Sequence, residues 1–296
     1  MANNEWGGDW TKQKLDTFEK YVIAYLNIMC SQKKKCSGWP EIIYFDGFAG
    51  SGYKNTKTNS DENPSFPNFY IDEDVYSGSP EIVVRLNKKF DKYIFVDIDN
   101  NSIQSLKDKL EPYVNLNIVQ YINGDMNEEL VKFAKSLDKT KAALVLLDPF
   151  GMQINWDSIA HLKDLRVDLW ILIPSGAINR LLDKNGKLKN IDRIKDCLGL
   201  DEKEIKAIFY KKTQKKDLFG DEEEKTQKIS NSIYKITELY IKQIGTIFKY
   251  STKKPLVLYN SKNVPIYHFA FASNNKIAEK IATQIIGQKH NANYKN

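Results

Sequence analysis

Cysteine and histidine are scarce in this chain of 296 residues, which contains only three of each. The cysteine count is odd, and the spacing fits neither a CxxC motif nor a zinc-ligand pattern. We therefore expect three reduced thiols, as in a cytoplasmic protein, and no metal site. The histidines form no HxxxH pair and give no basis for a Ser-His-Asp triad. The residues concerned are Cys30, Cys36, Cys197, His161, His268 and His290.

Long apolar runs and a strong charge excess are also missing. No run reaches the ~18 apolar residues that a membrane-spanning helix needs, and the polar N-terminus lacks the apolar core of a signal peptide. The 44 basic and 38 acidic residues leave a net charge of only +6. Such an excess permits contact with nucleic acid without requiring it, because an electrostatic footprint needs clustered charge. We expect a cytoplasmic protein without membrane contact.

The chain does contain a regular alternation of short apolar runs and amphipathic stretches. Strands are expected at 42–45, 93–96, 117–122, 142–147 and 168–173, with helices at about 80–90, 101–110, 127–137 and 156–162 between them. This alternation predicts βαβ units and a parallel sheet. Two later strands, 256–259 and 266–272, are joined by a link too short for a parallel crossover, which predicts an antiparallel hairpin. The pattern is that of a Rossmann-like class I methyltransferase fold with a seven-stranded, mostly parallel sheet.

We interpret residues 1–296 as a single domain with three additions to this α/β pattern. Residues 1–40 form an N-terminal segment with a helix from 11 to about 32. Residues 53–77 are a polar loop insertion, after which Ser79 is expected to cap a helix with Pro80 in its first turn. Residues 174–229 are a charged, partly helical insertion, followed by helices at about 230–247 and 276–286.

A glycine-rich loop follows the first strand and reads Asp-Gly-Phe-Ala-Gly-Ser-Gly. Glycines allow a backbone to turn sharply and to lie against a ligand. The loop differs from the GxGxxG pattern that cradles a pyrophosphate, and it opens with a carboxylate. S-adenosylmethionine (SAM) has no phosphate but carries an ammonium and a sulfonium, which an acid at this position suits. Alone, the motif also fits an ordinary turn. The cofactor-binding candidates here are Asp46, Gly47, Phe48, Gly50 and Gly52, together with Ser79.

Acidic residues follow three further strands. Asp97 ends the second strand, where a carboxylate can accept both hydroxyls of a ribose. Asp99 is a second candidate, although it also fits the N-terminal acid of a helix. Asp125 follows the third strand and can accept from an adenine amino group, and Asp148 follows the fourth. Because ligands bind outside the carboxyl ends of such sheets, the four strand-end acids together predict a nucleoside-containing ligand, with SAM as the cofactor.

The turn after the fourth strand contains the catalytic candidates Asp148, Pro149 and Phe150. Amino-methyltransferases have an Asp/Asn-Pro-Pro-aromatic turn in which polar groups orient the target amine and the ring stacks on the base. This chain has one proline and then Phe150, similar to the Asp-Pro-Phe-Gly turn of tRNA guanine-N2 methyltransferases. The alternative is a turn whose phenylalanine lies in the core.

Candidate substrate contacts lie in the insertion that follows the fifth strand. Asn179 and Arg180 come first, and an arginine there can face a phosphate or form a surface ion pair. Four lysines beside two aromatic residues suit a single-stranded or tRNA-like nucleic acid. The acidic run 221–224 can instead pair with them. The lysines are Lys211, Lys212, Lys215 and Lys216.

Taken together, these features resemble the three-Cys-motif partner family (TcmP) over nearly the full chain. The resemblance rests on Trp10 and Lys14, on 44–52, 78–80, 148–153 and 179–180, and on 260–262 leading to 267–269. It implies a SAM-methyltransferase-like fold and a partner protein carrying a three-cysteine motif, which this chain's own cysteines do not form. In that family the acid at the end of the second strand is often Glu. Here it is Asp97, whose shorter side chain reaches less far towards a ribose.

The first functional hypothesis is SAM-dependent N-methylation of a nucleobase in RNA or DNA. A second, of another class, is a SAM- or nucleoside-binding partner subunit without transfer activity. A third is methylation of a protein or peptide, including the partner itself. The presence of both Asp97 and Asp148 favours an enzyme, because a non-enzyme has no need of the second.

Overall fold

The computed structural model describes residues 8–51, 78–188, 190–216 and 222–293. The loop insertion predicted at 53–77 and the candidate Gly52 lie outside these ranges. The helices are α1 (Gly8–Lys35), α2 (Ser79–Arg85), α3 (Asn100–Leu110), α4 (Met126–Ser136), α5 (Trp156–Ala160), α6 (Ser175–Leu181), α7 (Ile191–Leu198), α8 (Glu202–Phe209), α9 (Ser232–Ile244) and α10 (Lys276–Asn293). The strands are β1 (Glu41–Asp46), β2 (Lys92–Asp97), β3 (Val119–Asn123), β4 (Lys141–Leu147), β5 (Val167–Ile173), β6 (Tyr210–Lys216), β7 (Glu222–Lys228), β8 (Tyr250–Ser251), β9 (Leu256–Tyr259) and β10 (Pro265–Ser273).

The central sheet confirms the predicted fold class. Strands β1 to β5 are parallel and lie in the order β3-β2-β1-β4-β5. This is the order of the first five strands in a Rossmann sheet. Strand β10 is antiparallel to β5 and to β9, so the predicted C-terminal hairpin is present. Both β8 and β9 pair with β10, which brings the sheet to eight strands rather than seven.

Both faces of the sheet are covered, because successive side chains of a strand point to opposite sides. Within β1, Ile43 and Phe45 belong to the cluster packed by α4 and the helices that follow β5. Ile42 and Tyr44 belong to the opposite cluster, which includes residues of α1, α3 and α10. A strand buried on both faces appears in the sequence as a continuous apolar run, and this is why β1, β2, β4 and β5 could be predicted.

Helix α1 packs across the second of these faces. Phe18, Val22 and Leu26 recur at helical spacing and are buried. Three lysines in the last turn suit the negative end of the helix dipole. The helix is longer at each end than predicted.

Two local predictions in the α/β core are wrong in extent. Helix α2 ends at Arg85 rather than near 90, because Leu86 is already extended and carries the chain to Phe90, which is buried against Tyr44. Strand β3 begins two residues later than predicted, because residues 116–118 form a 3-10 turn capped by the Asn115 side chain.

The insertion after β5 contains α6, α7, α8 and a β-hairpin of β6 and β7, which the sequence did not reveal. Lysine-rich and glutamate-rich segments have low strand propensity, so their local sequence does not indicate strands. The backbone register places Lys215 opposite Glu223 and Lys216 opposite Glu222. No helix in the described part of the chain is long and apolar enough to cross a membrane.

Candidate functional site

The strand-end acids meet at one edge of the sheet. Asp46 and Asp97 are the last residues of β1 and β2, while Asp125 and Asp148 follow β3 and β4 within two residues. These strands are parallel neighbours, so their carboxyl ends form a continuous edge. The structure brings the four acids to this edge, but it gives each a different surrounding.

Asp46 lies beneath the glycine-rich loop, with 0% of the residue exposed. Its carboxylate accepts hydrogen bonds from the Tyr44 hydroxyl at 2.8 Å, the Ser79 hydroxyl at 2.7 Å and the Phe48 backbone N–H at 3.2 Å. Burial raises the pKa of Asp46 to about 6, opposed by the hydrogen bonds from Ser79 and Tyr44 and reinforced by the charge of Asp148. The carboxylate therefore holds the loop from below.

The prediction that Ser79 caps α2 is wrong. Helix α2 begins at Ser79, its N-cap is Gly78, and no side chain caps it. The serine hydroxyl instead donates to the buried carboxylate of Asp46. A buried carboxylate is costly unless donors surround it, which explains why this hydroxyl is used there and not at the helix terminus.

Two glycines of the loop are required for different reasons. A Cβ on Gly47 would lie 2.6 Å from Met126 Cγ and 2.8 Å from Leu147 Cδ2, so a larger residue does not fit without movement of the core. Gly50 has a φ of +63°, a conformation that side chains disfavour, and a Cβ there would meet no atom within 4 Å. Gly47 permits close packing, whereas Gly50 shapes the turn at the sheet edge.

Asp97 joins this loop to the end of β2. Its Oδ2 accepts the backbone N–H of Gly50 at 2.9 Å, and its Oδ1 accepts that of Asp99 at 2.8 Å. The residue is partly exposed. Each carboxylate oxygen has more than one acceptor site, so both retain the capacity to accept a further hydroxyl.

Asp99 and Asp125 both act as helix caps. Asp99 accepts from the backbone of Asn101 and Ser102, and the Ser102 hydroxyl together with these bonds lowers the pKa of Asp99. Asp125 caps α4 in the same way, by accepting from Asn127 and from residue 128. Asp99 is therefore the N-terminal acid of a helix, which was the alternative for it, and Asp125 has the same position on α4.

Ile98 was not recognised from the sequence and stands between Asp97 and Asp99 at this edge. Its side chain is exposed, with 71% of the residue accessible. The sequence does contain a signal for this residue. It is apolar and directly follows a buried strand, although the turn around it is polar. The side chain offers an apolar surface beside the Asp97 carboxylate.

Asp148 forms an ion pair with Lys14 of α1, through Oδ2. The two side chains are only 18% and 9% exposed, respectively. The sequence indicated both residues as motif positions but did not predict that they meet. They are 134 residues apart, and no local pattern encodes such a contact.

The ring of Phe150 points outward beside this ion pair, with 75% of the residue exposed. The alternative in which Phe150 is a core residue therefore does not describe this structure. Its backbone N–H donates to Gln153 Oε1 at 2.9 Å, and its carbonyl accepts from the Tyr267 hydroxyl at 3.1 Å. Burial raises the pKa of Tyr267 to about 12, the charge of Asp148 adds to this rise, and Arg180 opposes it.

The candidate substrate residues fall into two groups. The Asn179 side chain accepts from the Ser232 hydroxyl and from Lys228, so it ties α6 to α9 and β7. Arg180, in the last turn of α6, is exposed. The four lysines lie on β6, and Lys211 and Lys212 are exposed.

His268, on β10, is buried, and burial lowers its pKa to about 4. Its Nδ1 is 2.8 Å from the Ser175 hydroxyl. Within the described ranges there is no group of three histidine, cysteine or acidic residues that could hold a metal ion.

No family model and no curated protein matches this chain. Among solved structures, protein LPL1258 from Legionella pneumophila is 12% identical, covers 88% of this chain and 97% of its own, and has a TM-score of 0.38. Trm1 from Pyrococcus horikoshii, solved with S-adenosyl-L-methionine, is 10% identical, covers 93% and 71%, and has a TM-score of 0.37. The methyltransferase domain of bacterial CtHen1 is 13% identical, covers 75% and 100%, and has a TM-score of 0.29. Likenesses this distant carry no functional conclusion.

Proposed function

We propose that this chain is a SAM-dependent methyltransferase that acts on a nitrogen of a nucleobase in RNA or DNA. The observation that carries the proposal is the Asp148–Phe150 turn, in which a fixed carboxylate stands next to an exposed aromatic ring. The turn lies on the same sheet edge as the glycine-rich loop and Asp97. This is the edge at which ligands of open α/β sheets bind.

The residues present fit SAM as the cofactor. Gly47 and Gly50 shape a loop whose backbone lies at the edge, and Asp97 keeps acceptor capacity for ribose hydroxyls. Ile98 offers an exposed apolar side chain on which a flat base can pack. When bound, SAM supplies an electrophilic methyl group carried on a sulfonium.

The acceptor side is supported by the surroundings of Asp148. Its Oδ2 is engaged by Lys14, and among the described residues no donor is hydrogen-bonded to Oδ1. An ionised carboxylate is purely an acceptor, so Oδ1 suits an acceptor group that carries an N–H. The exposed Phe150 ring offers a surface on which a base can stack. Together these features favour a base amino group over an aliphatic target.

The resemblance to the three-Cys-motif partner family leads us to propose a partner protein with a three-cysteine motif as well. Methylation of that partner or of a peptide is the second candidate, and a SAM-binding subunit without transfer activity is the third. These candidates separate in one experiment, in which the protein is incubated with methyl-labelled SAM and a cell extract. We expect label in the RNA or DNA fraction; label in protein favours the second candidate, and SAM binding without label favours the third.

We expect SAM, or its demethylated product, to raise the melting temperature of the protein. A ligand at a hundred times its dissociation constant stabilises the folded state by about 2.7 kcal/mol. Asp97→Ala should weaken SAM affinity by roughly 10- to 100-fold, because a hydrogen bond to a charged group contributes about 1.5–3 kcal/mol. Isothermal titration calorimetry measures the affinity directly.

Asp99→Ala is the matched control for this experiment. It removes a carboxylate two residues away that serves as a helix cap, so it should lower stability by about 1 kcal/mol and leave SAM affinity nearly unchanged. If neither SAM nor its product shifts the melting temperature at millimolar concentration, the cofactor proposal is wrong for the isolated chain.

The lysines of β6 provide a separate test of nucleic-acid contact. The base of the hairpin adjoins α6, since Lys228 donates to the Asn179 and Leu182 carbonyls. Replacing exposed Lys211 and Lys212 with Gln should weaken RNA or DNA binding and flatten its salt dependence, by a log–log slope of about 0.7 per lost contact on single strands. Filter binding from low to high salt measures both quantities.

The control for the lysine experiment is Lys253→Gln with Lys254→Gln, which removes two exposed charges before β9, away from the ligand edge. This pair should leave the slope unchanged. If both pairs of substitutions flatten the salt dependence equally, the lysines of β6 make no specific contact and act only through the overall charge. Absence of binding to either nucleic acid at ~50 mM salt would make a protein the leading acceptor.

A further inference from the structure

We infer that Lys14 is a positioning residue for Asp148, and that the first turns of α1 form one wall of the acceptor site. This inference rests on the proposed function, because it assigns Asp148 to the acceptor. It goes further in making the N-terminal helix, which lies outside the βαβ units, part of the catalytic machinery. The contact responsible is the ion pair between Lys14 Nζ and Asp148 Oδ2.

Stability alone gives little reason for a lysine at this position. Lys14 is buried on a helix whose packed face is otherwise largely apolar, and the desolvation of a buried ion pair offsets most of the attraction it gains. An apolar residue of similar volume would pack there at no such cost. The pair does, however, fix the orientation of a carboxylate that emerges at the ligand edge.

A second contact ties α1 to the same turn. The Trp10 ring stacks on Tyr267, with ring centroids 5.4 Å apart, and Lys14 Nζ lies 5.5 Å from the centre of the Trp10 ring. The Tyr267 hydroxyl in turn donates to the Phe150 carbonyl at 3.1 Å. Helix α1 therefore holds the turn at both ends, at Asp148 directly and at Phe150 through Trp10 and Tyr267.

This arrangement divides the tasks of the two carboxylate oxygens. Lys14 occupies Oδ2, which leaves Oδ1 to accept the N–H of the acceptor with its direction already set. A catalytic group that is misplaced by about 1 Å can cost on the order of 100-fold in rate. Loss of Lys14 should thus lower turnover while leaving the cofactor side, at Asp97 and the glycine-rich loop, intact.

The test uses Lys14→Met, with Lys12→Met as the matched control, because Lys12 is an exposed lysine on the same helix. Methyl transfer from labelled SAM is measured on unfractionated cellular RNA and genomic DNA, with SAM affinity by calorimetry and the melting temperature alongside. We expect Lys14→Met to lower kcat at least 10-fold with SAM affinity within 2-fold of wild type. Lys12→Met should match wild type, and Lys14→Arg, which keeps the charge, should recover part of kcat.

Lys14→Leu is included in case Lys14→Met does not fold, since it likewise removes the donor to Asp148. If Lys14→Met or Lys14→Leu turns over as fast as wild type, or faster, Lys14 does not position Asp148 and the inference is overturned. Equal losses in Lys14→Arg and Lys14→Met, together with a lower melting temperature, would also overturn it in favour of a purely structural pair. Failure of the proposed function is recognised separately, from the wild-type protein alone. It would bind SAM but transfer no label to nucleic acid.

Discussion

Asp148→Ala is expected to reduce methyl transfer by on the order of 100-fold or more, while SAM affinity stays close to that of wild type. The reason is that Asp148 Oδ1 is the oxygen proposed to accept an incoming N–H, whereas the residues proposed to bind SAM lie in the glycine-rich loop after β1 and at the end of β2. Single-turnover transfer from labelled SAM, with calorimetric titration of SAM alongside, separates the two effects.

Two comparison variants make this result interpretable. Asp157→Ala removes an exposed carboxylate from α5, the next helix along the chain, and should leave transfer unchanged. Phe150→Ala should raise KM without unfolding the protein, because its ring is exposed and a stacked base contributes about 1–3 kcal/mol. Asp148→Ala leaves Lys14 buried and unpaired, so its melting temperature must be recorded. A folded Asp148→Ala protein with wild-type transfer would remove Asp148 from the mechanism.

The stability of the protein is expected to fall as the pH rises from about 4 to 6 through the contribution of Asp46. Its pKa is raised from 3.8 to about 6 by burial, so across this range the folded state holds a proton that the unfolded chain releases. The penalty for ionising the buried group is thus absent below about pH 4 and complete above about pH 6. A shift of two units corresponds to about 3 kcal/mol.

The measurement is urea unfolding at several pH values for wild type and Asp46→Asn. The neutral side chain has no proton to lose, so the free energy of unfolding of Asp46→Asn, relative to wild type, should improve by about 3 kcal/mol from pH 4 to pH 7. Asp168→Asn is the comparison away from the ligand edge, because burial also raises the pKa of Asp168 to about 6 at the start of β5. Its change should have the same sign and a similar size, because the pKa of Asp168 is raised over the same range. Parallel pH profiles for wild type and Asp46→Asn would contradict this prediction.

Much of the fold could be predicted because it depends on local patterns. The apolar runs of β1, β2, β4 and β5 follow from burial on both faces, and the short link before β10 leaves only an antiparallel connection. The β6–β7 hairpin could not be predicted in this way. Its segments are rich in lysine and glutamate, which have low strand propensity, and the pairing of the two strands is a property of the folded chain.

Local sequence patterns are sufficient to predict the alternating α/β architecture, the glycine-rich loop after β1 and the acids at four strand ends. What each acid does depends on contacts formed in the folded protein: Asp46 is buried beneath the loop, Asp99 and Asp125 cap helices, and Asp97 and Asp148 remain partly open at the edge. The role of a carboxylate is set by the donors that reach it. Those donors come from elements distant in the chain, such as Ser79 for Asp46 and Lys14 for Asp148, and only the folded sheet brings them together.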